Sequence, residues 1–274
     1  MSQISFDIEA YLDRLKAAAK KALFSIEPFG ITQELPLLAL TREGQTPDHT
    51  ALEAPTARIY LSAGIHGDEP AGPLALLRLL NERWFSPDIS WYLLPLLNPV
   101  GISLNQRENA EGADLNRDYF QARSLEVAAH LKWMESRFRG NSIDISILLH
   151  EDWEARGFYL YEVTRDFERS VARDALDAAS QVLPIEMGTR IDGRVAQKGR
   201  IAPLEMENLS LEGDDLPGAE AIFLSKTYSE LNYTFETPTD FPIADRVDAH
   251  VRAIKGATRA FLQLPGKPPF ENFS

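Results

Sequence analysis

AGIHGDEPAG, residues Ala63–Gly72, follows the apolar run RIYLSAG and precedes the helical pattern PLALLRLLNERW. A strand therefore gives way to a helix at the point where His66 and Glu69 stand three residues apart. Side chains at i and i+3 share a helix face, so an imidazole and a carboxylate at this spacing can converge on one ion. Zinc takes such donors readily, and a catalytic zinc keeps three protein ligands with one position open. The pair is a weak signal alone, because H-x-x-E also occurs by chance on surface helices. Its setting strengthens it: Gly64 and Gly67 let the backbone turn, and α/β folds keep their chemistry in loops at strand ends.

A third ligand has few sources, since the chain has five histidines and no cysteine. His49 lies in the polar loop GQTPDHTALEAPT, where exposure to solvent is the plain expectation. His130 and His250 fall in amphipathic helical patterns and are expected at the surface or half-buried. His150 ends the apolar run ISILLH, a second strand end, and acids follow it at once. His66, Glu69 and His150 thus make a candidate set for one zinc ion per chain, against the alternative of capping or core histidines.

Between them runs NPVGISLNQRENAEGADLNRDYF, Asn98 to Phe120. With this stretch in place the chain resembles the zinc carboxypeptidases of the carboxypeptidase A-like family. That family shows H-x-x-E after a strand, N-P-x-G, an arginine, D-x-N-R with an aromatic, a lone histidine and a late glutamate. Here these are His66 and Glu69, Asn98-Pro99-Val100-Gly101, Arg107, Asp114-Leu115-Asn116-Arg117 with Tyr119-Phe120, His150 and Glu236. The spacing R-x-N-x-x-G-x-D-L-N-R is similar to short bacterial members such as the murein tripeptide amidases. Val100 and Asp118 depart from it, standing where many relatives carry Asp and Asn.

The resemblance implies roles. Asp114 accepts the other ring N–H of His66, as carboxylates do to fix a metal-bound tautomer, with a loop turn residue as the close competing reading. Asn116 and Arg117 hold a substrate carboxylate, for which a guanidinium fork is well suited, and Arg107 faces the oxyanion. A surface salt-bridge network with Glu108, Glu111 and Asp118 is the competing reading. Glu236, closing YTFETP, is the general base and then acid; otherwise it is an exposed acid on an edge strand. Glu151, Asp152 and Glu154 could hold a second metal or select a cationic substrate group, but a solvated loop, or carboxylates that support His150, is the preferred reading. The substrate-binding tyrosine common before the late glutamate is missing, since residues 191–227 contain none.

Composition sets outer limits. The chain has 274 residues, 44% hydrophobic and 25% charged, with a net charge of -13. That charge argues against nucleic acid, whose phosphates demand a basic face. Without cysteine nothing ties the chain to an oxidising compartment, and MSQISFDIEAYLD has no apolar signal region, so a cytoplasmic location is the expectation. No apolar run reaches membrane-spanning length.

Periodicity predicts helices over residues 8–24 (Ile8, Tyr11, Leu12, Leu15 and Ala19 on one face), after the first motif, at SLEVAAHLKWMESRF, over 164–183 and at IADRVDAHVRAIKGATRAFLQL. Strands are expected at 35–43, ARIYLSAG, 89–97, 142–150, 158–163, AIFLSK and LNYTFETP. Residues 98–120 read as a long connection, and 184–219 as a loop region with one short hairpin. The alternation predicts one α/β domain over 1–274: a three-layer sandwich with a mixed, mainly parallel sheet and helices on both faces.

Together these readings imply a zinc-dependent hydrolase cutting the amide bond beside the carboxylate-bearing end of a small peptide. An acylamino-acid deacylase like aspartoacylase or succinylglutamate desuccinylase shares the motifs. Those enzymes carry a β-rich extension after the glutamate, whereas one helix and a tail follow Glu236 here, so the peptidase is preferred. A catalytically silent binding protein on the same fold would have lost a ligand or the glutamate, and none is lost.

Overall fold

A computed structural model of the chain describes residues 6–45, 57–164, 167–201 and 218–264. The expectations for His49, for the C-terminal tail and for much of the 184–219 loop lie outside these residues.

Ten strands form one sheet. In chain order they are β1 (Ser25–Thr32), β2 (Leu35–Arg42), β3 (Arg58–Ala63), β4 (Ser90–Leu94), β5 (Ile143–Asp152), β6 (Tyr159–Thr164), β7 (Arg190–Ile191), β8 (Arg194–Gln197), β9 (Arg200–Ile201) and β10 (Ser229–Pro238). Their spatial order is β1-β2-β4-β3-β5-β10-β6-β9-β8-β7. The central strands β4, β3, β5 and β10 run parallel, and antiparallel strands flank them, so the sheet is mixed as expected. Both faces of the centre are covered, which is why these strands read as continuous apolar runs rather than alternating ones. Period two then divides each strand: Ile59 and Leu61 enter one core while Tyr60 enters the other.

The larger core lies under α1 (Ile8–Lys21), α2 (Ala71–Asn81), α5 (Ala172–Ala179) and α7 (Ile243–Leu262). On the opposite face sit α4 (Leu125–Phe138) and α6 (Glu220–Thr227); α3 (Pro99–Leu104) is a short helix between β4 and α4. No helix among the described residues is long and apolar enough to cross a membrane.

Several local expectations are corrected. AIFLSK is not a strand but most of α6, because a short apolar run has no period by which strand and helix can be told apart. β1 was not expected at all: Pro28 and Gly30 interrupt its pattern, and they are tolerated because it is an edge strand with its register shifted between those two residues. The helix expected over 164–183 shrinks to α5 with a 3-10 turn at Phe167–Arg169 before it. The 98–120 connection contains α3 and a 3-10 turn at Leu115–Arg117, and the 184–219 loop contains three short strands rather than one hairpin. His130 and His250 are fully buried, not half-exposed; their rings bond to hydroxyls of Tyr60, Tyr119 and Thr237 inside the two cores.

Glu151 is the sharpest correction. It is no solvated loop residue: β5 continues through Asp152, and the Glu151 side chain points away from solvent. It accepts the Ala71 N–H at 2.7 Å, at the start of α2, and bonds to the guanidinium of Arg246 on α7. Burial pushes its carboxyl up to about 7, against the pull of Arg246. The pair locks both helices to the strand that carries His150. Arg246→Lys, which cannot reproduce the guanidinium geometry, is expected to cost about 1–2 kcal/mol in denaturant unfolding without changing metal content. An unchanged unfolding midpoint would show that the pair does not fasten these helices.

Candidate active site

The parallel centre of the sheet brings its strand ends to one edge, and the candidate residues gather there. β3 ends at Ala63, and Gly64, at φ +62°, turns the chain out of the sheet. His66 and Glu69 then stand in a turn, with Glu69 N–H on His66 carbonyl at 3.4 Å, and α2 starts only at Ala71. The expected i,i+3 convergence is therefore present, but a turn produces it rather than a helix face. Gly67 is required by space: a Cβ there would lie 2.0 Å from the backbone carbon of Gly101. The turn thus packs directly on α3, whose N-terminus Asn98 caps by accepting from Gly101 N–H at 2.8 Å. The N-P-x-G motif is explained by this cap, with Pro99 in the first turn.

His66, Glu69 and His150 are all buried and their donor atoms lie within 4.8 Å of one another. His66 Nδ1 is 2.6 Å from Glu69 Oε1, and His150 Nδ1 is 3.0 Å from Glu69 Oε2. The second approach leaves Oε2 without a hydrogen bond in a place sealed from water. Two imidazole nitrogens and a carboxylate that face one another, one oxygen unsatisfied, fit a dication of the zinc type. Among the described residues this is the one such group, so Glu151, Asp152 and Glu154 form no second metal cluster.

The electrostatics fit as well. Burial pulls the His66 imidazole down, but Glu69 and Asp114 outweigh it and lift it to about 9. Burial pushes Glu69 up, yet the two imidazoles hold it well below the ordinary carboxylate range. Positive charge is wanted at this point, which is the charge a dication would bring. Asp114 Oδ1 is 3.2 Å from His66 Nε2, which leaves Nδ1 turned toward Glu69. Its Oδ2 accepts from Arg107 Nε at 3.0 Å, and Arg107 Nη1 is 3.7 Å from Glu69 Oε1. Arg107 is not in a surface network with Glu108, Glu111 and Asp118. Asp118 instead accepts backbone N–H groups of Arg123 and Ser124 ahead of α4.

β10 lies beside β5 with Glu236 level with His150, and β6 lies on its other side with Tyr159 level with Glu236. β10 is a central strand that runs on to Pro238, so the edge-strand reading of Glu236 fails. The side chain is 8% exposed and lines a cavity of about 230 Å³ together with His66, Glu69 and His150. It has no hydrogen-bond partner among the described residues. Burial raises its carboxyl well above the usual range, and the charges of Glu69 and Asp152 add to this.

Arg107, Asn116 and Arg117 line the same cavity. Asn116 Oδ1 accepts from Glu220 N–H at 2.9 Å, and Arg117 Nη1 donates to the Asn116 carbonyl at 3.0 Å. The wall formed by β6 was missed from the sequence. Tyr159 and Tyr161 both line the cavity, their hydroxyls donating to Asp152 at 2.9 Å and to Asp192 at 2.6 Å. The signal existed: FYLYEV places the two tyrosines two residues apart, on one face of a strand. Trp153, 76% exposed, stands at the mouth.

Residues 55–212 match the family model described as succinylglutamate desuccinylase/aspartoacylase catalytic domain. The chain belongs to this family. The family is zinc carboxypeptidase-like, which bears out the resemblance read from the motifs, and its members are hydrolases. The matched desuccinylase/aspartoacylase stretch contains His66, Glu69, Arg107, Asp114, Asn116, Arg117 and His150, and stops before Glu236. Among curated proteins, Carboxypeptidase 2 of Trichophyton rubrum is 31% identical over 152 residues, 52% of this chain. Carboxypeptidase SOL1 of Arabidopsis thaliana is 37% identical over 79 residues, 25% of this chain. The alignments span 27% and 16% of those two relatives' own lengths.

Solved structures agree on the fold. A Shewanella denitrificans OS217 chain, described as a candidate metallopeptidase, superposes with TM-score 0.75 at 22% identity, covering 93% of this chain and 89% of its own. A metallo-carboxypeptidase from Burkholderia cenocepacia gives 0.65 at 19%, covering 92% and 69%. At these identities the likeness is one of architecture.

Proposed function

We propose that this desuccinylase/aspartoacylase-family chain is a zinc-dependent carboxypeptidase-like amide hydrolase acting next to the free carboxylate of a small peptide. One observation carries the reading: a buried Glu236, with no hydrogen-bond partner among the described residues, shares a small cavity with the His66–Glu69–His150 group, and Arg107, Asn116 and Arg117 line that same cavity. The carboxypeptidase relatives support a peptide as substrate.

His66 Nδ1, Glu69 and His150 would hold one zinc ion. When bound, zinc polarises the scissile carbonyl and makes water a stronger acid. Asp114 fixes the His66 tautomer and orients Arg107 beside the cluster. Arg107 then faces negative charge developing on the former carbonyl oxygen. Glu236 accepts the proton of the attacking water and returns it to the leaving amine. Asn116 Nδ2 and the Arg117 guanidinium take the substrate carboxylate, which sets the scissile bond in register with Glu236. The tyrosines of β6 close the other wall and take the place of the tyrosine missing from residues 191–227.

The clamp makes a direct prediction. Converting the C-terminal carboxylate of a cleaved peptide to an amide is expected to lower kcat/KM by about ten- to a hundredfold, the value of one charge-assisted contact. Equal rates for the two peptides would refute the clamp and favour a ligand held by its other end.

The family match supports a second reading, an acylamino-acid deacylase, in which the same clamp holds the amino acid released. Zinc-loaded protein assayed side by side on short peptides and on N-acyl amino acids separates the two. Turnover of N-acyl amino acids alone would select the deacylase, and turnover of neither would select a binding protein.

A further inference from the structure

α6 starts at the wall of the cavity, and its first residue does two jobs. The Glu220 N–H donates to Asn116 Oδ1 at 2.9 Å. With that oxygen engaged, the polar edge left on the amide is Nδ2, a donor, and a donor is what a carboxylate needs. The orientation of Asn116 is thus dictated by the backbone of residue 220.

The Glu220 side chain holds that backbone in place. It is 0% exposed, and no cation pairs with it among the described residues. Tyr60 hydroxyl donates to Oε1 at 2.6 Å and Ser62 hydroxyl to Oε2 at 3.0 Å. Both donors belong to β3, the strand that leads to His66. Behind them, Tyr60 is 3.1 Å from His130 Nε2, and His130 Nδ1 is 2.8 Å from the Tyr119 hydroxyl. Burial pulls His130 down to about 3, so it is neutral and offers one N–H and one lone pair. The bonds therefore run one way, from Tyr119 through His130 and Tyr60 into Glu220.

Two further contacts close the ring. Tyr119 N–H donates to the Gly218 carbonyl at 3.0 Å. Gly218 in turn packs so tightly on Arg117 that a Cβ would fall 1.9 Å from the Arg117 carbonyl oxygen. Asn116, Arg117, α6, β3 and α4 are therefore tied into one unit. Burial raises the Glu220 carboxyl to about 7, and the two hydroxyls only partly offset this. A buried acid without a cation is costly, and an apolar residue would serve packing better.

We propose that Glu220 is a positioning residue for the substrate carboxylate: it ties the start of α6 to β3 and so keeps its own N–H on Asn116 and Asn116 Nδ2 free for the ligand. The proposal rests on the reading of Asn116 as a carboxylate ligand.

The free amino acid is a product under both the peptidase and the deacylase reading, so L-alanine and L-alaninamide are suitable probes. NMR titration of the zinc-loaded protein gives the preference for the carboxylate over the amide as a ratio of Kd values. The wild type is expected to prefer alanine about tenfold or more. Glu220→Ala, which removes both anchors, should lower the ratio about fivefold or more, leaving the share that the Arg117 guanidinium supplies, while alaninamide binding stays put. Glu220→Gln, which keeps an acceptor for one hydroxyl, should recover most of the preference. Ser62→Ala removes one anchor alone, and covers the case in which Glu220→Ala fails to fold; it should reduce the ratio about threefold. A purely structural role would instead lower the melting temperature or weaken both probes alike. A wild-type ratio of one would overturn the carboxylate reading itself, and this proposal with it. A wild-type preference that survives undiminished in Glu220→Ala, or in Ser62→Ala where the former does not fold, would overturn the positioning role and leave the clamp intact.

Discussion

Glu236→Gln is expected to lower kcat by about 10²–10⁴, the usual value of general acid–base assistance, with zinc content unchanged. The substitution keeps size and shape and removes only the capacity to take and return a proton. Substrate affinity should hold or improve slightly, since a negative charge leaves a cavity that already contains Glu69 and Asp152. The pH profile offers a second readout. Glu236 must be ionised to act as a base, and burial next to Glu69 and Asp152 raises its pKa well above the ordinary carboxylate range. A dication bound beside Glu236 would draw this value back down; activity of the zinc-loaded wild type should fall as pH drops far enough to protonate Glu236, and this acidic limb should be absent from the Gln variant. Near-normal turnover would move the base elsewhere. Glu151 is not a ready substitute, because Arg246 and the Ala71 N–H already occupy its carboxylate. Loss of zinc in the Gln variant would instead make Glu236 a ligand.

His150→Ala is expected to abolish tight zinc binding and activity together. Removing even a supporting contact of a metal ligand costs about ten- to a hundredfold in affinity, so removing one of three ligands should cost more. The fold should persist, because the neighbours of His150 along β5, Leu148 and Leu149, remain packed in the two cores. Metal analysis after dialysis, with circular dichroism as the control, reads both outcomes. Full zinc occupancy in a folded His150→Ala protein would falsify the ligand set.

Much of the candidate site was legible because its proposed ligands sit at the ends of apolar runs. RIYLSAG and ISILLH announce buried strands, and the polar residues that follow them must lie at the rim of the sheet. Asp114, Arg107, Asn116 and Arg117 were legible through the spacing of their motif alone, since their segment has no hydrophobic period. His130 and His250 were misread for a related reason. Helical periodicity locates an apolar stripe but does not reveal that a hydroxyl waits beneath it, and Tyr60, Tyr119 and Thr237 come from distant parts of the chain.

Strand-end residues, motif spacing and periodicity, all local patterns, suffice to name the metal-ligand candidates, the candidate carboxylate clamp and the alternating α/β order. Which partners those groups meet follows from the packing of the folded chain. It put Glu236 level with His150 through the pairing of β10 with β5, brought Tyr159 and Tyr161 to the opposite wall, buried Glu151 against Arg246, and set Glu220 on Asn116, 104 residues away. These contacts depend on strand order and register, which arise from packing both faces of the sheet at once and leave no trace in any short stretch of the chain.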